Sequence, residues 1–191
     1  MVINKNVEFG FWDKIKYIVS DPNLFFERVK LEQGIKNSIL MYDIVGAFFS
    51  VISYIFSFGL MSMMSGGYGG LGGFGFLYSA LPFVILGIGL IMTFVYSGLI
   101  HALVIAFKGE GTYSSSYNVY AYSMVPYLIL SVVPMVGFLA IIYSIILMII
   151  GISKVHNISK GKAALACLLP AVLVIGLLIG LAIMIFSRGF F

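Results

Sequence analysis

The chain has 191 residues, of which 61% are hydrophobic and only 9% are charged, and its formal net charge is +4. Soluble domains carry about 25% charged residues, so this composition excludes a soluble globular domain. Residues 1–36 hold six Lys/Arg against five Asp/Glu, and such a balanced segment forms no basic patch for nucleic acid.

Residues 1–37 are predicted to form a cytoplasmic amphipathic segment. The first apolar stripe of this segment has helical spacing and consists of Trp12, Ile15, Ile18 and Val19. Lys14 and Lys16 lie off that stripe. A helix with this pattern is typical of the membrane–water interface rather than of a bilayer span.

Asp21 and Pro22 predict the start of a second short helix, because Asp is a preferred N-cap and Pro a preferred first helical residue. Phe25, Phe26 and Val29 then share one face of this helix. Two arrangements fit both short helices. They lie in the cytoplasmic headgroup layer, or they pack on the ends of the protein's own membrane helices, and the two arrangements are compatible with each other.

Residues 38–191 are predicted to form a membrane domain with five spans. A spanning helix needs roughly 20 mostly apolar residues. The 43 residues of 111–153 carry no formal charge and are too long for one span, so the Pro and Gly within 133–137 are expected to divide them. The resulting spans are about 38–60, 76–107, 117–133, 135–152 and 163–186. The expected fold class is therefore all-α: a polytopic membrane protein with a five-helix transmembrane bundle and N-terminal amphipathic interfacial helices.

The distribution of Lys and Arg predicts the orientation of these spans. With the N-terminus in the cytoplasm, the cytoplasmic segments 1–37, 108–116 and 153–162 hold ten Lys/Arg, and the outside segments hold only Arg188. Such an excess of positive charge on the cytoplasmic side is typical of membrane proteins. We therefore expect a multi-pass membrane protein with a cytoplasmic N-terminus and an outside C-terminus.

Glycine and other small residues indicate two different features of the membrane domain. Residues 65–75 contain seven glycines, and without a Gly-Lys pair or a preceding strand they indicate a flexible linker rather than a phosphate-binding loop. Small residues four apart let helices approach closely in lipid, and such pairs are Gly46 with Ser50, Gly98 with Ala102, and Gly176 with Gly180. These faces fit packing within one bundle or between copies of the chain in a homo-oligomer.

The candidate functional site is an intramembrane polar cluster. Asp43 is the one charged residue in the first span, and an ionisable group inside a span is costly and by default a functional candidate. It lies seven residues after Lys36, and His101 lies seven residues before Lys108 on a helix that runs the other way. Similar depth is therefore expected for the two, and the predicted cluster consists of Asp43, His101, Tyr122 and Ser123.

Three interpretations of this cluster differ in their chemistry. Asp43 is structural if its carboxyl bonds a neighbouring Tyr or a backbone N–H, and functional if it lines a transport or binding path. Hydrolysis is the third, but one His and one Asp without a clear nucleophile or metal-ligand set give it little support. We therefore predict no enzyme activity, catalytic residue, cofactor or metal.

His156, between Lys154 and Lys160, is expected to be solvated, and Cys167 to be a small packing residue.

Five short motifs occur in order along the chain. They are Asp21-Pro22-x-x-Phe25-Phe26, Asp43-Ile44-Val45-Gly46-Ala47, His101 followed by Lys108-Gly109-Glu110-Gly111-Thr112-Tyr113, Ala121-Tyr122-Ser123-Met124-Val125-Pro126, and Ala163-Ala164 after a basic loop. In order and spacing they resemble the YIP family, the Ypt/Rab-interacting membrane proteins, and the short N-terminal segment is similar to that of archaeal or bacterial members. The family-motif positions are Asp43, Gly46, Tyr122 and Pro126, whereas Ile44, Ala47 and Ala121 depart from the eukaryotic pattern.

The resemblance implies a fold and a class of function. Members of the family are similar in having five spans, a cytoplasmic N-terminus and an outside C-terminus, in agreement with the charge distribution. Eukaryotic members are non-enzymatic, bind prenylated small GTPases and act in vesicle trafficking and membrane organisation. Prenylated Rab proteins are not expected for an archaeal or bacterial member, so the trafficking role itself does not carry over.

Two hypotheses follow for the function. The first is a non-enzymatic membrane scaffold or adaptor, embedded in the lipid bilayer, whose cytoplasmic face binds other membrane or lipid-anchored proteins. The alternative is a small transporter or channel with a polar path near Asp43 and His101. The scaffold predicts that Asp43 is dry and paired, whereas the transporter predicts a water-filled cavity that reaches it.

Overall fold

The computed structural model describes residues 9–64 and 73–188. Within these two ranges the chain forms seven α-helices and no strand: α1 Phe11–Ser20, α2 Pro22–Val29, α3 Lys36–Met64, α4 Gly73–Ala106, α5 Tyr113–Leu130, α6 Pro134–Val155 and α7 Lys160–Arg188. The prediction of an all-helical fold is confirmed for this part of the chain. The glycine-rich linker predicted over 65–75 lies mostly outside it.

Helix α2 begins where the sequence predicts. Asp21 is its N-cap, and a carboxylate oxygen of Asp21 accepts a hydrogen bond of 3.0 Å from the backbone N–H of Leu24. Phe25, Phe26 and Val29 are buried, and α2 packs against α6 and α5. Of the two arrangements compatible with the sequence, packing on the protein's own helices is therefore present for α2.

Helix α1 buries only part of its apolar stripe, together with the charged Lys14. Lys14 is 8% exposed and Ile18 is fully buried, whereas Trp12 is 78% exposed and Val19 is 58% exposed. The buried face packs toward α2 and α5. Trp12 and Val19 therefore point away from the helix packing and are available for a contact outside the protein.

Helices α3 to α7 overlap the five segments predicted to span the membrane. Three of them contain stretches long and apolar enough to cross a bilayer, namely Lys36–Leu60, Ala80–Ala106 and Met135–Val155. Helix α6 begins at Pro134, so the long uncharged stretch divides where the sequence predicts. Five crossings remain a prediction, since length and composition identify three.

Helix α5 lies at the centre of the bundle. It packs against α3, α4 and α6, and its buried residues include the polar Ser116, Asn118 and Ser123. Because the neighbouring helices enclose it, α5 does not need an apolar surface toward lipid. This explains why it is the least hydrophobic of the five long helices.

The hydrophobic core lies at the end of the bundle that carries α1 and α2. Phe25 and Phe26 from α2, Tyr122 from α5 and Leu147 and Ile152 from α6 are all 0% exposed there, and they belong to one continuous cluster. Helices α1 and α2 are thus part of the folded domain.

Candidate functional site

The four residues of the predicted polar cluster occupy different surroundings. Asp43 is partly exposed on α3 and makes no hydrogen bond to another residue of 9–64 or 73–188. His101 bonds Ser116, whereas Tyr122 bonds Lys14 and Glu32. Ser123 is buried, and its hydroxyl has no hydrogen-bond partner in the same ranges. No hydrogen bond therefore joins the four to one another there, and their functional role stays a prediction.

Tyr122 belongs to a buried ionic cluster that connects three parts of the chain. The Lys14 ammonium donates to a Glu32 carboxylate oxygen at 2.6 Å and to the Tyr122 hydroxyl at 2.6 Å. The same hydroxyl donates to the other Glu32 oxygen at 2.8 Å. Since Lys14 is on α1, Glu32 follows α2 and Tyr122 is on α5, the Lys14–Glu32–Tyr122 cluster fastens both N-terminal helices to the membrane domain.

Aromatic contacts surround this cluster. The Lys14 ammonium lies 4.8 Å from the centre of the Tyr122 ring, and Phe25 meets that ring edge-on with centroids 5.2 Å apart. Burying an ion pair is costly, and removing one partner leaves the other charge uncompensated. Phe25, from the motif that begins with Asp21-Pro22, and Tyr122, from the motif on α5, are thus neighbours in the folded protein. The sequence alone could not show this contact.

Sequence reasoning missed Lys14 and Glu32 for a physical reason. Both lie in a segment where positive and negative charges are mixed, and such side chains are usually solvated. Their pairing depends on the fold that brings α5 beneath them. The one available signal was Tyr122, a polar residue in a predicted span.

A second polar group links α4, α5 and the end of α6. The Ser116 hydroxyl lies 3.0 Å from His101 Nδ1 and 2.9 Å from His156 Nε2. His156 Nδ1 bonds the backbone carbonyl of Glu110, so this nitrogen carries the proton and Nε2 of the neutral ring accepts from Ser116. Ser116 in turn accepts from His101 Nδ1, which fixes the direction of the His101–Ser116–His156 chain.

His156 is 0% exposed, so the expectation that it is solvated was wrong. It lies at the C-cap of α6, where the backbone N–H of Glu110 donates to its carbonyl at 3.0 Å. Burial lowers the pKa of His156, and the nearby His101 and Lys30 act in the same direction, against the opposing effect of the Glu110 carbonyl. The imidazole is therefore held neutral near pH 7.

The loop between α4 and α5 packs against the loop between α6 and α7. Asn157 donates to the Glu110 carboxylate and accepts from the Lys30 ammonium at 2.8 Å. Gly111 has a φ of +100°, and a Cβ there would lie 3.0 Å from His156 Nδ1. Glycine at this position thus permits both the backbone conformation and the close approach of His156.

A third contact fixes the start of α3. The Ser38 hydroxyl donates to the Asn118 side-chain oxygen at 2.5 Å, and the Asn118 amide donates to the Gly34 carbonyl at 2.8 Å. Both Ser38 and Asn118 are buried. The connection from α2 to α3 is therefore held by α5, as are the N-terminal helices.

Chemically, these clusters are suited to holding helices together. Ser116 and His156 have the spacing of a hydroxyl and its base, but both are 0% exposed, so a substrate has no access to them. In the part of the chain that the structure describes, no group of three or more His, Cys, Asp or Glu could hold a metal ion.

A cavity of about 830 Å³ lies between α3, α4 and α5. Tyr42, Gly46, Gly89 and Tyr120 are among the residues that line it, but Asp43 and His101 are not. Asp43 directly follows Tyr42 in the chain, but its carboxyl does not form part of the cavity wall.

Comparison with known proteins identifies the family. The Yip1 domain matches residues 16–183, a range that begins within α1 and ends within α7 and so covers most of the chain. No curated protein and no solved structure matches it. The domain and the three long apolar helices together indicate a membrane protein. The chain belongs to the Yip1 domain family.

Proposed function

We propose that this protein is a non-enzymatic membrane scaffold or adaptor. Its cytoplasmic platform, which we define as α1, α2 and the loops 107–112 and 156–159, binds other membrane or lipid-anchored proteins. The membrane helices hold this platform at the bilayer surface. We further propose that the chain is a prokaryotic-type member of the family, because Ile44, Ala47 and Ala121 depart from the eukaryotic motif pattern.

The observation that carries the proposal is the Lys14–Glu32–Tyr122 cluster. A freely moving N-terminal tail needs no buried charge, whereas here Lys14 is 8% exposed and Tyr122 is 0% exposed. The Ser38–Asn118 contact and the Lys30–Asn157 contact add two more attachments. A surface held at several points loses little conformational freedom when a partner binds.

The outer face of α2 is the proposed contact surface. Asn23, Glu27 and Lys30 are exposed on it, one turn apart, and Glu27 pairs with Lys154 of α6 at 3.1 Å. Leu31, which is 64% exposed, adds an apolar side chain at its edge. This mixture of charged, polar and apolar groups resembles the surface of non-obligate protein interfaces.

The distribution of Lys and Arg is consistent with the same proposal. We propose five crossings, with the platform in the cytoplasm and the C-terminus outside, because ten of the eleven Lys/Arg then lie on the cytoplasmic side. A reporter that is active only in the cytoplasm should work when fused at position 158 and fail at the C-terminus. The opposite pattern would exclude this orientation.

A photo-reactive amino acid at Asn23 tests the partner-binding role in native membranes. We expect it to label a membrane or lipid-anchored protein, and the same group at Ile55, which is 64% exposed on α3, to label lipid. Lys14→Met should reduce the Asn23 adduct severalfold, because it releases α1 and the turn after α2. Labelling at Asn23 that is absent, or unchanged by Lys14→Met, would contradict the proposal.

The alternative is a transporter with a path near Asp43 and His101. The wall of the cavity between α3, α4 and α5 includes neither residue, which counts against a path through them. The paired Asp43 that the scaffold predicts is not found among residues 9–64 and 73–188 either, because its carboxyl is partly exposed and makes no hydrogen bond there. Purified protein in liposomes provides the test: we expect no solute flux that Asp43→Leu abolishes. A flux that depends on Asp43 would replace the scaffold with the transporter.

A further inference from the structure

The cavity between α3, α4 and α5 extends along most of α3. Its wall on α3 extends from Tyr42 to Leu60, which corresponds to about 27 Å along a helix axis. The hydrocarbon core of a bilayer is about 30 Å thick. A volume of about 830 Å³ lies within the roughly 300–1,000 Å³ of small-molecule sites. These dimensions fit an extended hydrocarbon chain better than a compact solute.

The wall of the cavity is uncharged. Among the described residues that line it, none is Asp, Glu, Lys, Arg or His. Its polar groups are hydroxyls, including those of Ser53 and Ser57 along α3. A charged group placed there would have no counter-ion within the low-dielectric bilayer. The chemistry of the wall therefore selects an uncharged occupant that is mostly apolar.

Tyr42 provides a specific polar contact at one end. It is only 6% exposed, lines the cavity, and its hydroxyl makes no hydrogen bond within residues 9–64 and 73–188. A buried Tyr hydroxyl usually has a partner. Gly89 makes room for it, since a Cβ at Gly89 would lie 2.8 Å from this hydroxyl. The hydroxyl is thus placed to bond an oxygen of the occupant.

We propose that the cavity binds one uncharged lipid that carries a hydroxyl or carbonyl oxygen. The oxygen bonds the Tyr42 hydroxyl, about 9 Å from the start of α3 at Lys36, and the hydrocarbon chain extends along α3 toward Leu60. This site goes beyond the proposed scaffold role, because it lies in the hydrocarbon layer and does not involve the platform.

Photolabelling of the purified protein in lipid nanodiscs tests the site. The probe is a monoacylglycerol with a diazirine in its chain, compared with an alkyl phosphate that has the same chain and diazirine. We expect the monoacylglycerol to label peptides from α3 and α4 that line the cavity. Unlabelled monoacylglycerol should compete with it, and the alkyl phosphate should label these peptides at least tenfold less.

Two variants and two matched controls make the assignment specific. Ser53→Phe fills the cavity and should reduce labelling at least tenfold, whereas Val51→Phe, on a face of α3 outside the cavity, should not. Tyr42→Phe removes one hydroxyl and should weaken competition about fivefold, the loss expected for one hydrogen bond. Tyr54→Phe, also on α3 but outside the cavity, should leave the competition by unlabelled monoacylglycerol unchanged.

Three results would overturn the proposal. Equal labelling by the alkyl phosphate would show that the wall does not select an uncharged lipid. Equal effects of Ser53→Phe and Val51→Phe would show that the probe reports only bulk lipid around α3. If unlabelled monoacylglycerol competes equally well with and without the Tyr42→Phe substitution, the Tyr42 hydroxyl does not bond the lipid. This result would overturn the polar contact even if Ser53→Phe failed to fold.

Discussion

At the scale of single residues, buried polar groups join the helices at the end of the bundle that carries α1 and α2. The sequence predicted that polar side chains within the spans would matter, and Tyr122 and His101 do make buried or partly buried hydrogen bonds. Their partners could not be predicted, because Lys14 and His156 look like ordinary solvated residues until α1 and the end of α6 are placed. Pairing of this kind depends on tertiary structure.

The Lys14–Glu32–Tyr122 cluster leads to a prediction about stability. Lys14→Met should lower the free energy of unfolding by about 3 kcal/mol, near the low end for a broken buried pair, since the Glu32 side chain is 22% exposed. Tyr122→Phe should cost about 1–3 kcal/mol, because it removes two hydrogen bonds. Denaturant titration in detergent micelles measures both changes.

Lys16 offers the matched control on the same helix. It is exposed, so Lys16→Met should change the free energy of unfolding by no more than about 0.5 kcal/mol. Equal destabilisation by the Lys14 and Lys16 substitutions would show that α1 is not held by this ion pair.

His156 leads to a prediction about pH. Burial lowers its pKa in the folded protein relative to about 6.5 for a free imidazole, so the unfolded chain binds more protons. The stabilisation from neutral His156 is therefore complete above about pH 6.5 and is lost as the pH falls through the lowered pKa. The protection factors of amides in the 107–112 loop, which correct for the slower intrinsic exchange at low pH, should therefore fall on acidification from pH 7.5 to 5.5.

His156→Gln provides the comparison for this pH effect. The variant should show lower protection factors in the loop already at pH 7.5, and a much weaker dependence of these protection factors on pH over the same range. An undiminished pH dependence in His156→Gln would assign the effect to another group.

At the scale of helices, the boundaries were more predictable than the faces. Asp21-Pro22 and Pro134 mark the starts of α2 and α6, because capping and the missing Pro N–H act locally. The buried face of α1 could not be predicted from the spacing of its apolar residues, because the charged Lys14 lies on that face. Local signals identify where a helix begins, whereas its buried side depends on its neighbours.

Trp12 leads to a prediction about the position of α1. It is 78% exposed, is the one Trp in the chain, and lies on the same side as Val19. We expect it to enter the headgroup layer, as Trp does at membrane interfaces. Its emission in liposomes should be blue-shifted and quenched by brominated lipids, and it should be protected from iodide. Full quenching by iodide without quenching by the lipids would place α1 in water.

Gly151 leads to a prediction about the contact between α2, α5 and α6. A Cβ there would lie 2.5 Å from Val119 and 2.9 Å from the Phe26 ring, so Gly151→Ala should cost about 1–3 kcal/mol through overpacking. Gly161→Ala, in the first turn of α7 with nothing within 4 Å of its Cβ, should be neutral or stabilising. Thermal unfolding of the two variants in the same detergent measures the difference.

At the scale of the whole molecule, the positions of the long helices followed from hydropathy, whereas their arrangement did not. Helix α5 had a weak apolar signal because α3, α4 and α6 enclose it, so its central position was not evident from the sequence. The cavity was also unpredictable, since it depends on the close approach of Tyr42 to Gly89. Hydropathy reports contact with lipid and contains no information about which helices touch.

We propose that helices α1 and α2, which pack on the membrane domain, lie at its cytoplasmic face. Glu27 and Lys154 are in contact at 3.1 Å, so a Glu27→Cys, Lys154→Cys double variant is suited to a short, membrane-impermeant thiol cross-linker. We expect cross-linking in inside-out vesicles, none in right-side-out vesicles, and none in either for Glu27→Cys with Met135→Cys. Absence of the cross-link between positions 27 and 154, or its formation only in right-side-out vesicles, would contradict this arrangement.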